Sequence, residues 1–218
     1  MSSQANRKYL EWESYPELGT ATVHEAAGAI GALPSSIKPL STDCRVRGAA
    51  FTVKSPRADN LWLHRAIYTA PSHSVLVVSV EGFMEAGHWG AVMGRAALAR
   101  RIAGLVIDGG VRDSRELIAM GFPVFAPNVC IRGTAKDPAA RGALGERITI
   151  GEIGIETGDL IIGDADGVVA IPAAISEQVL EKARDRERKE SDIFARIENG
   201  ETTLEIYRFA ESPVGAKR

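Results

Sequence analysis

Cysteine is scarce in this sequence: Cys44 and Cys130 are the two in 218 residues. They stand far apart and in no metal-binding or redox spacing, so neither a disulfide framework nor a thiolate metal site is indicated. Two reduced thiols in a cytoplasmic protein are the expectation. Charge of one sign is also missing in excess. Lys and Arg number 26 against 28 Asp and Glu, a net charge of -2. No basic surplus points to nucleic acid, and no acidic block points to a disordered tail. Apolar runs stay well short of the roughly 20 residues that span a bilayer, and the first residues, MSSQANRKYLEWE, are polar with no apolar leader segment. A soluble, cytoplasmic chain without nucleic-acid or membrane partners is expected. Several catalytic signatures are absent too: no GxSxG elbow, Walker A loop, HExxH, or GxGxxG after a strand occurs. His24, His64, His73 and His88 do not pair at metal-ligand spacing. Lys54 ends a strand, where lysines are usually exposed, and nothing near it argues for Schiff-base chemistry.

What is present begins with core-forming material: 45% of the residues are hydrophobic, enough for one large domain or two small ones. The most informative stretch is GLVIDGGVRD, residues 104–113. Leu105, Val106 and Ile107 form a short apolar run typical of a buried strand. The run breaks at Asp108-Gly109-Gly110 and then presents Arg112 and Asp113 side by side. Ser114 is positioned to cap a short helix, residues 115–120, which Gly121 ends. A strand that stops in glycines before a helix is a place where α/β proteins bind small ligands. An arginine fork grips a carboxylate or enolate oxygen, and a neighbouring aspartate can hold a hard divalent cation. The plainer alternative is a solvated charge pair at a loop end.

Along the chain, residues 1–18 read as a polar N-terminal arm with Trp12 and Tyr15 as docking points. Helices are expected at 20–30, 60–68 and 91–102, and strands at 45–53, 75–80, 123–125, 147–150, 159–162 and 168–171. Asp164-Ala165-Asp166-Gly167 has the chemistry of a hairpin turn. Ser176 is placed to cap a long C-terminal helix, residues 176–198, closed by Asn199-Gly200. Its apolar stripe is Val179, Ala183, Phe194 and Ile197, and Arg186 and Glu190 fall within it. These charges either bridge to solvent where the helix leaves the body or face a polar site on a neighbouring subunit. His24 and Glu25 read as ordinary surface polar groups. His88, in a glycine turn, reads as solvated or as a pocket wall. Gly90-Ala91-Val92-Met93-Gly94 is a glycine turn running into a helix, whose free N–H groups can hold a carboxylate. That helix leads directly into the strand that delivers Arg112 and Asp113, so the two loops should lie together.

The run WGAVMGRAALARRIAGLVIDGGVRDSRELIAMGFPVFA, residues 89–126, resembles the 4-hydroxy-4-methyl-2-oxoglutarate / 4-carboxy-4-hydroxy-2-oxoadipate aldolases and the related regulators of ribonuclease E activity. The likeness continues through CIRGTAK (130–136), GDLIIGDADGVVAIP (158–172) and KARDRERKE (182–190), and covers about residues 20–207. It implies an α/β fold, a layered swivelling β/β/α-type domain forming a single compact unit over 1–218. It also implies a homotrimer or hexamer with sites between subunits.

For the site, the resemblance maps the family's metal ligand to Asp113, its substrate-gripping arginine to Arg112, and its substrate loop to Gly90, Ala91, Val92 and Met93. Glu190 of an adjacent chain would support the metal's water shell. A divalent cation, magnesium or manganese, would be the cofactor and a small 2-oxo acid the substrate. The implied activity is that of a class II aldolase releasing pyruvate, with oxaloacetate decarboxylation as a companion reaction. A non-catalytic ribonuclease regulator and an enzyme diverted to another acid are the alternatives. One position departs from the family pattern: its acidic residue, ahead of the Arg-Asp pair, is Ala91 here.

Overall fold

The computed structural model describes Trp12 and residues 15–209. Most of the expected N-terminal arm therefore lies outside the described residues. The chain alternates strand and helix through its first half. β1 (Lys38–Pro39) and β2 (Val46–Lys54) are followed by α2 (Leu61–Thr69), β3 (Val75–Ser79), α3 (Ala91–Ala99), β4 (Gly104–Ile107), β5 (Gly110–Val111), α4 (Ser114–Ala119), β6 (Val124–Ala126) and β7 (Asn128–Val129). A short helix, α1 (Thr20–Ala26), precedes them. The second half holds β8 (Ala143–Leu144), β9 (Ile148–Ile150), β10 (Ile153–Ile155), β11 (Leu160–Asp164), β12 (Gly167–Ile171), α5 (Ser176–Glu198) and α6 (Thr203–Ile206).

The main sheet runs β1-β6-β4-β3-β2-β11-β12, with β8 added to β2. β2, β3, β4 and β6 are mutually parallel, while β1, β8, β11 and β12 pair antiparallel. Parallel strands require crossovers, and α2, α3 and α4 supply them.

Side-chain alternation sorts the sheet into two buried faces. Leu76, Val78, Leu105, Ile107 and Val124 pack with Leu63 and Ile67 of α2, Met93 and Ala97 of α3, and Leu117 of α4. The intervening residues, Val75, Val77, Val106 and Phe125, pack instead with Ile148, Ile150 and Ile155 of the β9–β10 hairpin. The result is helix, sheet and second β layer, the expected α/β layered order. Fully burying one such side chain contributes about 1.5–3 kcal/mol, so these layers dominate the fold's stability. A third cluster joins Leu160, Ile162, Val169 and Ile171 to Val23 of α1, Val179 and Leu180 of α5, and Trp12. Trp12 is buried as a docking point, and the Tyr15 hydroxyl donates to Glu181 Oε1 at 2.7 Å.

Several local expectations need correction. The first helix ends at Ala26 rather than at residue 30. Gly28 and Ala29 turn into the left-handed region, and Leu33 N–H then bonds the Val168 carbonyl at 2.9 Å. Pairing with β12 thus outweighs the local helix pattern. Neither serine expected as a cap is one. Asp113 takes the N-cap position of α4, and Ile175 that of α5. Ser176 lies inside α5 and donates its hydroxyl to the Ala173 carbonyl at 3.0 Å.

Helix α5 matches its expected span. Its buried residues stop at Ala183, and beyond that point Phe194 and Ile197 are exposed. Arg186 pairs with Glu25 on α1 and lies 3.8 Å from Glu190 one turn on, so the cation opposite Glu190 within this chain is Arg186. No helix among the described residues is long and apolar enough to cross a membrane.

Candidate active site at the strand ends

The four parallel strands all end at the same edge, and each hands its next segment to one cavity. β2 leads to Asn60 and to His64 on α2. β3 leads to Gly87, Gly90, Val92 and Met93, β4 leads to Arg112 and Asp113, and β6 leads to Lys136. These residues line a cavity of about 230 Å³. Ligand sites outside the carboxyl ends of parallel strands follow from this topology, because every crossover loop opens there.

The two loops expected to meet do so. Arg112 N–H donates to the Trp89 carbonyl at 2.8 Å, and Asp113 Oδ2 accepts the Ala91 N–H at 3.0 Å. Helix α3 has Gly90 at its N-cap and no side-chain cap of its own, so Asp113 caps it from the neighbouring loop. Arg112 Nε stands 3.9 Å from the same oxygen, and both side chains are about half-exposed. The N–H groups of Val92 and Met93 belong to the first turn of α3 and have no intrahelical acceptor, which leaves them for an anion.

This approach demands glycine. A Cβ at Gly90 would lie 2.5 Å from Asp113 Oδ2, and one at Gly87 would lie 2.8 Å from Arg112 Cβ. Asp113 itself has φ 54°, a left-handed conformation that aspartate tolerates better than most residues.

Asn60, His64 and Lys136 were not anticipated from the sequence. Asn60 is buried, and its amide donates to the His88 carbonyl at 3.0 Å. Its Oδ1 has no partner among the described residues. Burial, and secondarily the Lys136 charge, lower the pKa of the His64 imidazole from its ordinary value. No motif joins these residues: Asn60 and His64 follow β2, whereas Lys136 follows β6. The only available signal was that each follows a strand.

His88 is neither solvated nor a wall of this cavity. It is fully buried, approaches the Gly110 carbonyl through Nδ1 at 3.2 Å, and meets Phe83 edge-on at 6.2 Å. Burial pushes its pKa down, so it acts as a neutral brace beneath the loop that carries Arg112. His24 and Glu25 are the surface groups expected, bonded to the Ile30 carbonyl and to Arg186. Glu190 is not among the residues lining this chain's cavity.

The cavity offers few donors to a metal. Among the described residues no cluster of three or more His, Cys, Asp or Glu could hold one. Asp113 is the single carboxylate in the cavity, and only its Oδ2 takes an N–H. One carboxylate suits magnesium, which keeps several of its waters and takes further oxygens from substrate. It does not suit zinc, which takes three or four protein ligands from His, Cys and carboxylates.

A family model described as RraA-like (Aldolase/RraA) matches residues 20–170. The chain belongs to the RraA-like family. It is 36% identical over 194 residues to a Halalkalibacterium halodurans protein named "Putative 4-hydroxy-4-methyl-2-oxoglutarate aldolase", covering 89% of each chain. Among solved structures it resembles an uncharacterized protein from Pseudomonas syringae with a TM-score of 0.77 and 32% identity, over 94% of this chain and 93% of that one. It also superposes on the RNA-processing inhibitor RraA from Thermus thermophilis with a TM-score of 0.66. That second match, at 23% identity over 72% of this chain and 94% of the other, bears on the fold alone.

Proposed function

We propose that this RraA-like chain is a carbon–carbon lyase that releases pyruvate from 4-hydroxy-2-oxo acids, with oxaloacetate decarboxylation as a second activity of the same site. The observation that carries this reading is the meeting of Arg112, Asp113 and the α3 N-terminus at the strand ends, with Lys136 on the same cavity. The aldolase name of the Halalkalibacterium halodurans relative supports the same class.

Each group has a task in such a reaction. The N–H groups of Val92 and Met93 receive the substrate's 1-carboxylate at the positive end of the α3 dipole. The Arg112 guanidinium faces the 2-oxo oxygen and stabilises negative charge there as the C3–C4 bond breaks and its electron pair moves toward the carbonyl. Lys136 offers a cation to a second carboxylate, which both oxaloacetate and 4-hydroxy-4-methyl-2-oxoglutarate carry. Magnesium or manganese, with Asp113 as its protein ligand and water as most of its shell, would supply Lewis-acid polarisation of the 2-oxo group. Neutral His64 is a proton acceptor on the cavity wall.

The proposed assembly is a trimer or hexamer in which Glu190 of an adjacent subunit approaches this site. Its support is the exposure of Val92 on the cavity rim and of Phe194, Leu204 and Tyr207 toward the C-terminal end, apolar surface of the kind that interfaces cover.

The deciding experiment is pyruvate release over a panel of 4-hydroxy-2-oxo acids and oxaloacetate, with and without magnesium or manganese. Release that needs the metal is expected. No release from any acid would overturn the lyase reading and favour a binding role.

A further inference from the structure

Lys136 reaches the cavity from a long exposed connection, residues 130–142, and a lysine on such a loop needs an anchor to act at a defined place. The anchor is a buried carboxylate on a different crossover. Asp59 is 3% exposed, although carboxylates are seldom buried without dedicated partners. Its Oδ1 accepts the Leu61 N–H at 2.8 Å, in the first turn of α2, and its Oδ2 accepts the Asp137 N–H at 2.7 Å. The flanking backbone follows: Asn60 N–H donates to the Ala135 carbonyl at 3.2 Å, and Ala135 N–H donates to the Ala58 carbonyl at 2.8 Å. Ser55 Oγ donates to the Asp59 carbonyl at 2.9 Å and holds the residue itself. A more distant tie, Trp62 Nε1 to the Ala140 carbonyl at 3.1 Å, secures the far end of the loop.

One carboxylate therefore joins the start of α2, which carries Asn60 and His64, to the residue next to Lys136. We propose that Asp59 is a positioning residue of this site: its carboxylate clasps the 130–142 loop to α2 and so sets where the Lys136 ammonium stands on the cavity it shares with Arg112. The ligand chemistry rests on the function proposed above, whereas the clasp does not. A carboxylate is required because both partners are donors. An amide has one acceptor oxygen, so it can serve only one N–H and turns its own N–H₂ toward the other. Hydrogen bonds to charged groups are also the stronger kind.

The test compares wild type, Asp59→Asn, Lys136→Ala and the double variant in two assays. The first is tryptic cleavage at Arg132 and Arg141, the basic residues on either side of Lys136 in the loop. The second is calorimetric binding of malate, a dicarboxylate that the lyase cannot cleave. Asp59→Asn is expected to speed loop cleavage and to weaken malate about tenfold, the scale of losing one charged hydrogen bond. In the Lys136→Ala background the same substitution should weaken malate by less than about twofold, because the group it positions is gone. If Asp59→Asn does not fold, Asp137→Pro deletes the N–H that Asp59 accepts while sparing the α2 bond, and the same changes are expected. Unchanged cleavage, unchanged malate affinity, or an undiminished loss in the Lys136→Ala background would overturn the proposal. A wild type that binds malate in this pattern but releases no pyruvate would refute the lyase reading and leave the clasp standing.

Discussion

Asp113 Oδ2 and the Ala91 N–H, 3.0 Å apart, close the cavity across two crossovers. The carboxylate caps a helix that has no side-chain cap of its own. The same oxygen faces the Arg112 guanidinium at 3.9 Å. A single side chain thus supports the local fold and presents negative charge to the ligand space, and substitutions here should separate the two roles.

Asp113→Asn keeps an acceptor for Ala91 and a residue tolerant of φ 54°. It should melt within a few degrees of wild type while losing metal-stimulated pyruvate release. Asp113→Ala also loses the cap, about 1 kcal/mol by analogy with other caps, and should melt a few degrees lower. Thermal melts beside activity with and without chelator check both. An alanine variant with full activity would remove the proposed metal ligand.

Arg112→Lys retains the charge but not the planar fork that can hold two oxygens at once. Turnover should fall by ~10²-fold or more, the usual loss for one oxyanion donor, with little change in melting temperature. Steady-state kinetics on oxaloacetate would show it, and full activity would mean that Arg112 is a surface charge.

At Gly90 a methyl group would sit 2.5 Å from Asp113 Oδ2 and 3.1 Å from Arg112 Cγ. Gly90→Ala should therefore cost about 1–3 kcal/mol as overpacking does. It should also cut activity further than the stability loss explains, because the atoms displaced belong to the proposed metal ligand and the proposed oxyanion donor. Comparing denaturant midpoints with kcat/KM separates the two effects.

Ala91→Asp tests the departure from the family pattern. A carboxylate in the first turn of α3 meets the favourable end of the helix dipole, so the variant should fold normally. It should lower the metal concentration for half-maximal activity by ~10–100-fold, the usual range for groups that orient metal shells, and raise turnover on 4-hydroxy-2-oxo acids. Metal titration of both forms decides the matter. Unchanged metal affinity with poorer turnover would indicate that Ala91 makes room for a different substrate.

His64 gives a pH prediction with a definite sign. Burial and then Lys136 hold its folded-state pKa below the ordinary value. Between the two values the unfolded chain binds the proton more readily, so this group erodes stability as pH falls through about 6.5. His88, depressed by burial, acts in the same direction. Lys136→Ala should raise the His64 pKa and leave that of His88 in place, as read from imidazole C–H shifts in an NMR titration.

Residue patterns alone determined the alternation of strands and helices, the closing helix, and the pairing of a glycine turn with the Arg-Asp loop. Those features are written in local periodicity and in chain order. The short strands β5, β7, β8 and β10 were not legible, because two or three residues carry no period and exist only through their partners. The first helix was overread for the same reason, since its last turn is given up to pair with β12. The expected caps at Ser114 and Ser176 failed because left-handed Asp113 and the chain before Ile175 already set the helix starts.

Arg112 and Asp113 were identifiable because they adjoin in sequence. Asn60, His64 and Lys136 were not, because they converge only where parallel strands open their loops at one edge. Asp59 was silent for a further reason: a carboxylate between an alanine and an asparagine reads as an ordinary solvated side chain until both N–H groups it accepts are in view. Sequence periodicity determined which segments form layers. The tertiary structure decided which side chains share a cavity, since that depends on strand direction and order, which no local pattern encodes.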